Sequence, residues 1–277
     1  MPIMLNTILQ AENLDMENVR LLRHQDNRAT KGYTPYELWR DNRQRFDIYQ
    51  STQEVRNAPK LNGLYWVSFV GTPYDETLFV GVYRIRGRKL LEIDTPKPHR
   101  PGVDKAESCY IYDLELQSYL DDLIGRMLID WGAGARAWIQ RADKQNKPII
   151  ELRSAFKEPG FPGFLQFIKP VAQLDRLPHS WITALQSAKG VYLLTCPKTQ
   201  EQYVGSATGE SGFWGRWQDY LQTGHGGNVA LKSRNSSDYQ VSILEVAGTS
   251  STVDDILKME ALWKSKLQSI AMGLNRN

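Results

Sequence analysis

Glu158-Pro159-Gly160-Phe161-Pro162-Gly163-Phe164 constrains the fold more than any other stretch of this chain. Two prolines remove backbone donors and two glycines widen the accessible backbone, so no helix or strand ladder runs through it. The chain therefore divides there. Residues 1–157 are expected to form one α+β domain. Residues 158–187 should connect it to a second domain, partly packing on it, and residues 188–277 should be that second domain. A length of 277 residues accommodates two domains. With 41% hydrophobic and 23% charged residues, neither half reads as disordered.

The first part is rich in β-branched and aromatic runs. Leu64–Val70 and Leu78–Ile85 read as strands joined by a turn at Thr72-Pro73-Tyr74-Asp75, and Tyr110–Leu114, Arg126–Asp130, Ala135–Gln140 and Ile149–Leu152 add more. Met16–Leu22, Pro35–Tyr49 and Leu116–Ile124 read as helical. The sum is a mixed, strand-rich, barrel-like domain.

Several function classes are excluded or disfavoured. No window approaches the roughly 18 apolar residues of a membrane span. Glu12, Asp15 and Glu17 break the order of a signal peptide, so a cytoplasmic protein is expected. Cys109 and Cys196 are too few and too distant for a disulfide framework or a thiolate zinc site. His24, His99, His179 and His225 lack metal-ligand spacing. A catalytic metal would therefore be held by oxygen, which favours Mg2+ or Mn2+. The net charge is only +3, but it is unevenly spread. Arg84, Arg86, Arg88 and Lys89, continuing to Lys97, Arg100 and Lys105, form one basic stretch; Arg136, Arg141, Lys144, Lys147 and Arg153 form another. Arg84, Arg86, Arg88, Lys89 and Arg136 are candidates for DNA phosphates.

The last ~90 residues carry the chemistry. Lys189–Thr195 (KGVYLLT) and Gln202–Ser206 (QYVGS) flank Pro197-Lys198-Thr199-Gln200, the pattern of a β-hairpin. A helix should span Phe213–Leu221, with Arg216 and Tyr220 four apart on one face. A second helix is expected over Val253–Leu267 with Glu260 beside its apolar stripe, before Gly273-Leu274-Asn275-Arg276-Asn277. Gly190-Val191-Tyr192, Tyr203-Val204-Gly205, Arg216, Tyr220, Glu260 and Asn275, in this order and spacing, resemble the signature of the GIY-YIG nuclease family. The resemblance covers residues 188–277. It implies a small domain with a central antiparallel sheet flanked by helices, and metal-dependent hydrolysis of double-stranded DNA. In that reading Glu260 holds the ion and Arg216 binds phosphate oxygens. Tyr192 is the base, Tyr203 positions water, and Tyr220 shares the base role. Asn275 is positional. His225, flanked by glycines, is expected either as an auxiliary base or phosphate contact or as the cap of a turn, with Asn228 a further DNA candidate. The sequence departs from the pattern where some members place Lys after the second motif; here Ser206-Ala207-Thr208 follows.

So small a nuclease needs a target selector, and the N-terminal domain is the candidate. Tyr65, Trp66, Tyr83, Trp131 and Trp138 offer stacking groups. The loop Trp131–Arg136 is expected nearest DNA. A restriction or defence enzyme reading a sequence or a modified base is the leading expectation, with a homodimer serving double-strand cleavage. DNA repair, mobile-element cleavage, an RNA-directed enzyme and a noncatalytic DNA-binding protein stay open as alternatives.

Overall fold

The runs rich in valine, leucine and aromatics between residues 64 and 90 build the centre of a sheet. In the computed structural model, which describes residues 2–25, 32–133, 137–226 and 238–276, close contacts divide the chain into two units, Met1–Lys157 and Glu158–Asn277.

The first unit begins with α1 (Leu5–Ala11), β1 (Val19–His24), α2 (Pro35–Asp41) and α3 (Arg43–Ser51). Then come β2 (Thr52–Glu54), β3 (Tyr65–Gly71), β4 (Thr77–Leu90), β5 (Thr95–Pro96), β6 (Val103–Asp104), β7 (Cys109–Gln117), β8 (Met127–Ile129), β9 (Ile139–Arg141) and β10 (Ile149–Leu152). Eight strands form a half-barrel in the order β10-β8-β4-β3-β1-β9, with β7 pairing β4 and β2 pairing β7. Only β1 and β3 are parallel among these pairs.

Three expected helices change. Met16–Leu22 is a short 3-10 turn running into β1, every residue of which is buried. Val19 and Leu21 enter one core and Leu22 another, and burial on both faces erases the alternation that marks a strand. Pro35–Tyr49 is two helices. Asn42, at φ −150°, ends the first, and its side chain accepts from the Arg45 amide at 3.0 Å to cap the second. Leu116–Ile124 keeps only a 3-10 turn at Asp121–Leu123, because β7 extends to Gln117. The expected strand over Ala135–Gln140 occupies Ile139–Arg141, while residues 134–136, with Arg136, lie outside the described residues.

The second unit comprises β11 (Ile168–Pro170), α4 (His179–Gln186), β12 (Gly190–Thr195), β13 (Gln202–Ala207), α5 (Gly212–Thr223), β14 (Gln240–Val246) and α6 (Val253–Lys266). Its sheet is antiparallel, in the order β11-β14-β12-β13. Residues 158–187 are integral to it: Phe167, Leu174, Trp181 and Leu185 share one core with Tyr192, Phe213, Trp217 and Tyr220. Successive strand residues point to opposite faces. Tyr192 and Leu194 thus face α5, while Val191, Val204 and Ser206 face α6. A bulge between Val191 and Tyr192 skips Leu244 and turns Glu245 to the α6 face, where it accepts from Trp263 Nε1 at 2.7 Å. The edge strand β13 is the frame on which the functional residues gather.

Candidate active site

Each of four successive residues of β13 meets or is one of the signature groups. Tyr203 lies within it. Val204 is clamped by Asn275, whose Oδ1 accepts from the Val204 amide at 2.9 Å and whose Nδ2 donates to the Val204 carbonyl at 2.8 Å. Asn275 is not in a strand, yet its buried amide satisfies the outer edge of β13 as a neighbouring strand would. Gly205 lies under the Tyr192 phenol: a Cβ there would sit 2.5 Å from Tyr192 Oη. Ser206 donates its hydroxyl to Glu260 Oε2.

On the α5 face, Tyr192 Oη lies 2.9 Å from Tyr220 Oη and accepts from Arg216 Nε at 3.1 Å. The Arg216 guanidinium lies 5.5 Å from the centre of the Tyr220 ring. Helix α5 produces this by setting Arg216 and Tyr220 one turn apart, with Trp217 buried between them. Burial pushes the Tyr192 and Tyr220 phenols up, and the opposing pull of Arg216 does not offset it. A proton acceptor needs the reverse shift, so the expectation of Tyr192 and Tyr220 as bases meets a direct physical obstacle. Arg216 is held firmly cationic by the surrounding phenols despite its own burial.

On the α6 face, Glu260 Oε1 pairs with Lys264 Nζ at 2.8 Å, both side chains largely buried. Lys264 and Ser206 are the partners that sequence reasoning left out. The i,i+4 spacing of Glu260 and Lys264 was the available signal, and the lysine missing after Gly205, where Ser206 stands, is matched by an ammonium arriving from the helix. Among the described residues no group of three or more His, Cys, Asp or Glu side chains could enclose a metal. The donor chemistry at Glu260, a single carboxylate beside a hydroxyl, fits an ion that keeps most of its water shell. The Lys264 ammonium must leave Oε1 for such an ion to bind there.

His225 sits in a turn between Gly224 (φ +76°) and Gly226 (φ +54°), conformations that favour glycine. Its amide donates to Thr223 Oγ1 at 3.3 Å, and a Cβ on Gly226 would touch the Tyr220 ring at 2.8 Å. The turn therefore closes over Tyr220. Asn228 lies outside the described residues.

The family model described as the GIY-YIG catalytic domain matches residues 188–275. Residues 188–275 are a GIY-YIG catalytic domain. Among solved structures, the chain is similar to the catalytic domain of intron endonuclease I-TevI, as a point mutant. Identity is 25% over 32% of this chain and 94% of that one, with a TM-score of 0.28. It is also similar to the catalytic domain of homing endonuclease I-TevI, at 26% identity over 32% and 98% of the two chains and a TM-score of 0.27. No curated protein sequence matches. All six signature residues of the GIY-YIG domain fall within one unit, and all but Arg216 and Tyr220 are in β13 or contact it.

The basic and aromatic candidates of the first unit are less available than the sequence suggests. Arg86 Nε donates to Glu115 at 2.6 Å, and Arg88 stacks 4.4 Å from the Tyr110 ring centre. Arg84 is half-buried and Lys89 exposed, both on β4. Arg141 and Lys144 pair with Asp143, Arg153 pairs with Glu76, and buried Lys147 donates to the Trp131 carbonyl at 2.8 Å. Trp66, Tyr83 and Trp131 are core residues, so the Trp131–Arg136 loop begins from a buried anchor. Trp138 alone of the five named aromatics lines the large cleft of this unit. No described helix is long and apolar enough to cross a membrane.

Proposed function

We propose that the chain is a divalent-metal-dependent DNA endonuclease, with Mg2+ or Mn2+ at Glu260. The observation that carries this reading is the convergence of Tyr192, Tyr203, Glu260 and Asn275 on residues 203–206 of one edge strand, with Arg216 bonded to the first of them. Arg216, cationic and fixed through Nε, with Nη1 3.7 Å from the half-exposed Asp219 carboxylate, turns its terminal nitrogens to nonbridging phosphate oxygens, where negative charge grows during hydrolysis. The buried Tyr192–Tyr220 pair holds Arg216 in place. Tyr203, half-buried on the same face, orients the attacking water together with the Tyr192 hydroxyl, which acts as a neutral hydrogen-bonding group. His225, in the turn whose Gly226 lies against Tyr220, is the auxiliary proton acceptor. Glu260 would hold the divalent ion, which when bound would supply Lewis-acid polarisation of the phosphate and stabilisation of the leaving 3′ oxygen. Asn275 fixes β13, and thereby Tyr203 and Gly205.

The biological setting we favour is a restriction or defence enzyme of the cytoplasm, with residues 1–157 choosing a sequence or modified base in double-stranded DNA and a homodimer making paired cuts. The selecting role is supported by the cleft of the first unit. The test is cleavage of modified and unmodified genomic DNA with Mg2+ or Mn2+, by the full chain and by Glu260→Ala. Metal-dependent nicking that survives Glu260→Ala overturns the assignment.

A further inference from the structure

The first unit contains a cleft of about 900 Å3, within the range that encloses small organic ligands. It is built from segments far apart in sequence. Its inner wall is aromatic: the His24 ring lies 5.5 Å from Tyr49 and 6.1 Å from Trp138, and Tyr49 lies 4.8 Å from His99. Its rim is cationic. Arg23, Arg56, Lys60, Lys97 and Arg100 outnumber Glu54 and Asp104 in the lining, with Lys97 paired to Asp104 and Arg56 to Glu54.

A buried ring nitrogen of the cleft lining lacks a hydrogen-bond partner among the described residues. His24, at 2% exposure, lines the cleft, yet its Nε2 has no hydrogen-bond partner among the described residues. Such an atom costs free energy unless a partner arrives. Burial holds this imidazole far below its ordinary value, at about 3, so the ring is neutral and offers a directional hydrogen bond rather than a charge. The polar cluster behind it is fixed: Gln50 accepts from Ser68 Oγ at 3.0 Å and donates to Asp47 at 3.0 Å.

Flat rings, the unpartnered His24 Nε2 and an excess of cations match one ligand chemistry: a planar heterocycle carrying a phosphate. We propose that this cleft receives a single nucleotide extruded from duplex DNA, with the base against Trp138 and Tyr49, its edge read by His24 Nε2, and its flanking phosphates held by Lys60, Arg100 and Arg56, the last exchanging its exposed Glu54 partner for phosphate. The proposal rests on the reading of the chain as a DNA enzyme and identifies where the target is chosen. It removes that role from Arg84, Arg86, Arg88 and Lys89, none of which lines the cleft.

The test uses the full chain in EDTA with a duplex carrying 2-aminopurine opposite an abasic site, which lowers the cost of extrusion. Saturating protein should raise the fluorescence severalfold as the base leaves the stack. Trp138→Leu should abolish the rise and weaken binding by about tenfold. Arg56→Ala combined with Lys60→Ala, both exposed, should weaken binding by about tenfold and flatten its salt dependence, with unaltered circular dichroism. Binding without a rise, a rise unchanged in Trp138→Leu, or no binding at all each overturns the proposal. Adding Mg2+ to the same samples separates it from the nuclease reading. Nicking without the rise refutes the cleft alone, and the rise without nicking refutes the nuclease alone.

Discussion

Gly205→Ala tests the geometry of the site with one added methyl group. The Gly205 backbone lies outside the left-handed region, so alanine suits the chain itself. The conflict is local. The new Cβ would lie 2.5 Å from Tyr192 Oη, 2.6 Å from Tyr192 Cζ and 2.9 Å from Tyr203 Cε1. Ordinary contact begins near 3.4 Å, so the Tyr192 hydroxyl must retreat by about 0.9 Å. Tyr192 has little slack: it is fully buried, and its hydroxyl is held at 2.9 Å by Tyr220 and at 3.1 Å by Arg216. Overpacking of this kind costs about 1–3 kcal/mol of stability. A displacement of roughly 1 Å among reacting groups costs on the order of 100-fold in rate. Single-turnover nicking of supercoiled plasmid with saturating protein and Mg2+ should slow about 100-fold, while DNA affinity by anisotropy is unchanged. Tyr192→Phe and the double variant should then lose about as much as either single change, because both act through one hydroxyl. A Gly205→Ala protein that nicks within about twofold of the parent and melts at the same temperature would refute the reasoning, since Tyr192 would be shown to have room and no positional duty.

Glu260→Gln keeps the Ser206 contact but removes the charge an ion needs, so cleavage should fall below detection while anisotropy still reports DNA binding. Lys264→Ala releases Glu260 Oε1 from its ammonium and should lower the Mg2+ concentration for half-maximal nicking; an unchanged or higher requirement contradicts the competition. Asn275→Ala strands both polar groups of buried Val204, costing about 1–3 kcal/mol in urea melts, and a midpoint equal to the parent's would remove its structural role. The buried His24 binds a proton more readily in the unfolded chain, at 6.5, than in the fold, at about 3. Stability is therefore complete above 6.5 and declines as pH falls, by about 1.4 kcal/mol near pH 5.5. A His24→Gln chain should lose that slope in paired melts.

How much of this was readable in the residues depended on the range of the interactions. The β12–β13 hairpin and helices α5 and α6 fall within two residues of expectation, because turn chemistry and 3.6-residue spacing are local. The strand β1 defies a local reading because its two faces are buried by cores drawn from distant residues, Met127 and Trp131 on one side and Leu61 and Tyr112 on the other. The cleft was invisible for the same reason: His24, Tyr49, Lys60, Arg100 and Trp138 become neighbours only when β1, α3 and β9 assemble. Basic runs misled in the other direction, since Arg86, Arg141 and Arg153 meet carboxylates supplied by the fold.

The position of Glu260 gives the proposed chemistry a reason to sit on an edge strand. Alternation sends Gly205 and Ser206 to opposite faces of the sheet, so Tyr192 reaches the first from the α5 side and Glu260 the second from the α6 side. In the middle of a sheet, groups so placed would be separated by neighbouring strands. At β13 the outer edge has no further strand among the described residues, and Asn275 covers only Val204. In the proposed reading a phosphate approaching beyond Gly205–Ser206 would meet the Arg216 guanidinium and the half-buried Tyr203 from one face and the carboxylate from the other. Gly205 permits this because a side chain there would displace the phenol, and Ser206 because its hydroxyl holds Glu260 at the same level. The short motif thus encodes an edge with two sides. Adding bulk at Gly205 and removing the hydroxyl at Ser206 should both slow cleavage, the first through Tyr192 and the second through the Mg2+ dependence.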